Sequence, residues 1–148
     1  MYERDFILRV DEDIKEASAD LVVVFGGTND FGHGDAPRGA FFDRDEYTFY
    51  GAMHSLVNKL ANKFPESRIV FMTPLHRDNE DAPYNSHAVR VPPLKDYVNA
   101  MREVYEYYSI PVLDLYKNSG IQPAINVYKE LYIPDGLHPS DKGAVRIA

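Results

Sequence analysis

The stretch LVVVFGGTNDFGHG, residues 21 to 34, runs five large apolar residues into a pair of glycines and then into a polar, turn-forming segment. A continuous β-branched run of this length, closed by Gly26-Gly27, is the pattern of a strand buried on both faces of a parallel sheet. Upstream, Phe6, Val10, Ile14 and Ala17 recur at the spacing of one helical face, with Glu and Lys on the other. Downstream, Tyr50, Met53, Val57, Leu60 and Phe64 keep the same period until Pro65 stops it. RIVFMTP (Arg68 to Pro74) then reads as a second buried strand.

Tyr97, Met101, Val104 and Tyr108 repeat the helical pattern, and IPVLDLY (Ile110 to Tyr116) reads as a third strand. DKGAVRIA opens a last helix, with Ser140 placed to cap it. Helix and buried strand thus alternate three times. That pattern predicts an α/β domain with Rossmann-like or flavodoxin-like layering, a three-layer α/β/α arrangement around a parallel sheet of about three strands. The length of 148 residues suits a single domain over residues 1–148.

In such sheets ligands bind beyond the carboxyl ends of the strands. The segments that follow the three strands are all longer than the ordinary connection of about 4 to 6 residues, so function is expected on that rim.

The formal charge of −7 is spread along the chain and not gathered in a tail. Nucleic-acid affinity rests on clustered Lys and Arg, so no nucleic-acid partner is expected. The chain has no cysteine, which excludes disulfides, thiol catalysis and cysteine-ligated metals, and suits a reducing compartment. The first twenty residues alternate charge with apolar side chains and contain no long apolar core. Neither a signal peptide nor a membrane span is expected, and the location expected is cytoplasmic.

Two short elements can carry chemistry. In IPDGLHPS, Asp135 stands three residues before His138. A carboxylate near an imidazole accepts its Nδ1 proton and leaves Nε2 as a general base. The plainer reading is a Pro-Asp-Gly turn followed by a helix cap, with His138 merely exposed. Asn29 divides in the same way. It either shapes the turn after Gly26-Gly27, with Thr28 or Asp30 capping a helix, or presents its side-chain amide as an oxyanion donor.

Together, and in this order, the two elements resemble the SGNH or GDSL hydrolase superfamily of esterases, lipases and acylhydrolases. The resemblance rests on Gly27-Thr28-Asn29-Asp30 closing a strand and Asp135-Gly136-Leu137-His138 preceding the last helix. It implies the SGNH hydrolase fold, Asn29 as oxyanion donor, Asp135 and His138 as acid and base of a triad, and no cofactor or metal. It also implies an ester substrate, whether a small molecule, a carbohydrate ester or a lipid ester.

The superfamily's nucleophilic serine lies in a Gly-Asp-Ser stretch after its first strand, and a glycine donor follows its second. Here the one Gly-Asp, Gly34-Asp35, is followed by Ala36. Ser18, Ser55, Ser67 and Ser109 fall in or beside amphipathic helices, and Ser140 reads as a cap.

The expectation is therefore a partial domain, a carboxy-terminal portion without the superfamily's first two strands and inactive on its own. The alternative is a non-catalytic ligand-binding or interaction module on the same scaffold. Loss of those strands would leave Leu21 to Phe25 as an open apolar edge, inviting a homo-oligomer joined there.

His33, Asp35, His76, Asp78 and His87 match no metal-ligand spacing and read as solvated loop residues. Tyr84 and Tyr132 lie on rim loops as candidate pocket residues.

Overall fold

The computed structural model describes residues 5–15 and 18–148. Helix α1 (Asp5–Glu12) leads into strand β1 (Leu21–Phe25), and the short helix α2 (Thr28–Gly32) follows at once. Helix α3 (Phe49–Lys63) runs into β2 (Arg68–Met72), and α4 (Leu94–Tyr107) into β3 (Val112–Leu113). Three helices close the chain: α5 (Leu115–Asn118), α6 (Asn126–Tyr132) and α7 (Asp141–Ile147). The sheet is parallel throughout in the order β1-β2-β3, with Val24 paired to Phe71 and Phe71 to Val112. The α/β class and parallel sheet are those expected.

Side chains alternate across a strand, so this register sorts the sheet into two faces. Val22, Val24, Ile69, Phe71 and Val112 share one face and pack on the main core. That core is built from the buried stripes of α3 and α4, including Met53, Val57, Leu60, Tyr97, Met101 and Val104. On the other face Met72 joins a smaller cluster with Leu75, Leu115, Ile121 and Ile133.

The expectation of a first strand buried on both faces is corrected here. Leu21, Val23 and Phe25 are 54%, 52% and 43% exposed. The strand is an edge, and none of the helices described covers those three residues. An apolar cleft of about 300 Å³ also opens along β1, where Phe6, Val10 and Ile14 face Val22 and Val24.

Two boundaries differ from the periodicity. Helix α1 ends at Glu12, so Ile14 packs on the core from beyond the helix, and Ala17 lies outside the described residues. The third strand spans only two residues, because Asp114 turns the chain. Its carboxylate caps α5 by accepting the Lys117 N–H, and it also holds Thr73 and Arg102.

Among the described residues no helix is long and apolar enough to cross a membrane.

Candidate active site

The bend after β1 is made by glycine. Gly27 adopts φ 104°, a left-handed conformation that L side chains rarely enter, and serves as the N-cap of α2 without any side-chain cap bond. Neither Thr28 nor Asp30 performs the capping expected of it. The turn delivers Asn29 to the exposed first turn of α2, where its carbonyl accepts the N–H groups of His33 and Gly34 at 3.0 and 2.9 Å. Its side-chain amide has no hydrogen-bond partner among the described residues and is free to serve a ligand.

Asp135 and His138 meet. The Asp135 Oδ2 lies 2.7 Å from His138 Nδ1, and Oδ1 accepts the backbone N–H groups of Leu137 and His138 at 2.8 and 2.7 Å. An anion that accepts this many hydrogen bonds is stabilised in its charged form. The backbone N–H of His138, then its ring, then the Leu137 N–H hold the Asp135 carboxyl well below the usual carboxylate range. The pair is open to solvent, with the His138 side chain 76% exposed.

The turn that carries this pair is clamped from the β2–α4 loop. The Asp78 N–H donates to the Gly136 carbonyl at 2.7 Å, and the Asp78 carboxylate pairs with Lys129 of α6. Gly136 takes a left-handed φ of 77°, and a Cβ there would run into the Asp78 carboxylate. Behind the turn Ser140 caps α7, as expected, by accepting the Gly143 N–H at 3.1 Å.

Asn29 and His138 line one cavity of about 230 Å³ at the carboxyl end of β1 and β2, with Thr28, Leu75, Arg77 and Leu137 around them. No serine is among its lining residues. Ser55 donates to Glu46, and Ser67 donates to the Ala19 carbonyl at the opposite end of the strands.

Tyr84 and Tyr132 do not line this cavity. Tyr84 sits in a β-bridge with Arg90, and Tyr132 lies under the Arg146 guanidinium at 4.8 Å. Among the loop histidines and carboxylates, His76 pairs with Glu80 at 2.9 Å, His87 with Asp35 at 3.4 Å and Asp78 with Lys129, and the His33 ring lies 5.9 Å from that of His87. His76 also lies against the Tyr116 ring at 3.8 Å, and burial raises the Tyr116 hydroxyl to about 12.

Arg77 and the Asp78 clamp were not singled out from the sequence. The position of Arg77 just beyond the carboxyl end of β2 was a usable signal for it. The Asp78–Lys129 pairing left none, being 51 residues apart in the chain.

Comparisons with known proteins place the chain in a family and a fold. The model of the GDSL-like lipase/acylhydrolase family matches residues 2–146. One solved structure is 38% identical with a TM-score of 0.82, covering 94% of this chain and 64% of its own. A protein from Lactobacillus plantarum is 31% identical with a TM-score of 0.80, covering 95% of this chain and 68% of its own. A possible lipase from Chitinophaga pinensis is 25% identical with a TM-score of 0.68, covering 99% and 76%. No curated protein matches. The chain spans just under two thirds of the length of the first of these solved relatives. With a family model matched along nearly its whole length, the chain belongs to the GDSL-like lipase/acylhydrolase family.

Proposed function

We propose that this chain carries the acid, base and oxyanion side of a serine carboxylic-ester hydrolase, with the nucleophilic serine supplied from outside these 148 residues. The observation that carries the reading is the 2.7 Å contact between Asp135 and His138, formed at the mouth of a cavity that Asn29 also lines.

In this reading Nε2 of His138 takes the serine Oγ proton as Oγ attacks the ester carbonyl carbon. Asp135 holds the ring by its Nδ1 proton and stabilises the imidazolium. The carbonyl oxygen gains the negative charge, and the Asn29 amide N–H donates to it; a single such donor is worth about 2.7 to 4 kcal/mol. The tetrahedral adduct collapses, the alcohol leaves with the proton from His138, and a water activated by the same ring releases the acid. No metal or cofactor takes part in these steps. Candidate substrates are small-molecule, carbohydrate or lipid esters.

The 148-residue chain by itself is then inactive. The test is p-nitrophenyl acetate hydrolysis, with no turnover above buffer expected. Turnover abolished by His138→Ala would show that a serine already reaches the cavity from within this chain.

The absence of serine from the cavity walls also fits a second reading, a non-catalytic binding module on the same scaffold. An in-frame Gly-Asp-Ser within a domain-sized stretch of coding sequence upstream of Met1 favours the enzyme, and its absence favours the module.

A further inference from the structure

Arg77 lines the same cavity as Asn29 and His138, and it is the one permanently charged residue among those lining it. Its guanidinium is held from one side only. Nη1 donates to the carbonyl and hydroxyl oxygens of Thr28, both at 3.2 Å, and the group lies over the Phe31 ring at 5.4 Å. Nε is sealed in the protein without an acceptor among the described residues, while Nη2, which has none there either, is not sealed.

No carboxylate among the described residues pairs with this cation. The one that influences it, Asp78, is already engaged by Lys129. Burial pushes the Arg77 pKa down, as expected of a charge stripped of water without full replacement.

A half-buried cation without a counter-charge is stabilised by an anion that enters beside it. Nη2 is the nitrogen left for such an anion, and a guanidinium N–H gives a carboxylate a charge-assisted hydrogen bond. The rest of the cavity wall is apolar or neutral apart from His138, so a carboxylate there finds one strong partner and little competition.

We propose that Arg77 is a substrate-selecting residue, binding through Nη2 a carboxylate carried by the ester next to the scissile bond. This rests on the cavity being an ester site. The protein carries a net −7, so any preference for an anion must arise locally, against the overall field. The carboxylate can sit on the acyl side, as in a half-ester of a dicarboxylic acid, or on the alcohol side, as in an acylated hydroxy acid.

The test titrates the 148-residue chain with monomethyl succinate and with acetoxyacetate, each against its neutral methyl ester, following the His138 ring resonances by NMR. At least one acid is expected to bind tenfold or more tightly than its methyl ester, and the stronger acid identifies the side. Arg77→Gln should bring the two within about twofold, and Arg77→Lys, which keeps the charge without the guanidinium N–H, should fall between.

Equal binding of acid and ester to the unaltered protein, or a preference that survives Arg77→Gln, overturns the inference while the ester-site reading stands. If none of the four compounds moves the His138 resonances, both fail. The comparison in the unaltered protein decides the matter even if Arg77→Gln does not fold.

Discussion

Asp135 and His138 are joined twice, once through the ring and once through the backbone. Oδ2 faces Nδ1 at 2.7 Å while Oδ1 accepts the N–H of the same residue at 2.7 Å. The backbone bond fixes where the carboxylate stands, and the ring bond fixes which nitrogen of His138 keeps its proton. Asp135→Asn preserves a carbonyl for one of these contacts but loses the charge. The neutral His138 ring should then leave the Nδ1–H tautomer, read from its ring ¹⁵N shifts. In a longer form that carries the proposed serine, the same change should lower kcat by about 10⁴-fold, the scale of such substitutions in serine triads. An unchanged tautomer would count against the role given to Asp135.

Gly136→Ala should destabilise the fold by about 1–3 kcal/mol in chemical denaturation. The left-handed φ strains any side chain there, and the added methyl meets the Asp78 carboxylate. Asp78→Ala alone should cost about 1 kcal/mol or less, since its pairing with Lys129 is partly exposed. The double variant should cost less than the sum, because removing the carboxylate makes room for the methyl. Strict additivity would show that the two positions do not meet.

His54 gives the fold a pH dependence of calculable sign. It is buried, its Nε2 donates to the Phe41 carbonyl at 2.9 Å, and its Nδ1 faces the Tyr108 hydroxyl at 3.0 Å. Burial lowers its pKa from 6.5, with the Phe41 bond opposing. The unfolded chain therefore takes up the proton before the folded one does. Stability from this group is present above about pH 6.5 and falls as pH drops below it toward the depressed folded value. Denaturant midpoints measured from pH 7.5 to 5 should show this fall, and His54→Gln should flatten it at the expense of overall stability. An equal slope in both proteins would remove His54 as its source.

The free edge of β1 should govern association. With Leu21, Val23 and Phe25 exposed beside an unpaired backbone, the 148-residue chain should self-associate as concentration rises. Val23→Lys places a charge on that strand and should shift the light-scattering mass toward the monomer. A monodisperse monomer of the unaltered chain at high concentration would refute the prediction.

Much of this molecule was legible along the chain. The stripes of α3 and α4 stand where the period of their apolar residues put them, since a helix burying one face must repeat near 3.6. Gly27 before Asn29 and Asp135 before His138 were equally readable, because both depend on neighbours within four residues. The exposure of β1 was implied by the family resemblance and not by the run itself. A run of valines looks the same at a sheet's centre and at its edge, and only the pairing order decides which it is. The short β3 was hidden in the same way, since Asp114 ends it through contacts with Thr73 and Arg102 on other elements.

The sequence by itself determined the α/β class, the helices, and the two local motifs that can carry ester chemistry, all consequences of short-range spacing. Only the tertiary structure decided that Asn29 and His138, 109 positions apart, line one cavity, that no serine stands with them, and that Arg77 lends that cavity its charge. These are facts about which strand ends come together. They depend on long-range packing, and no local pattern of residues encodes them alone.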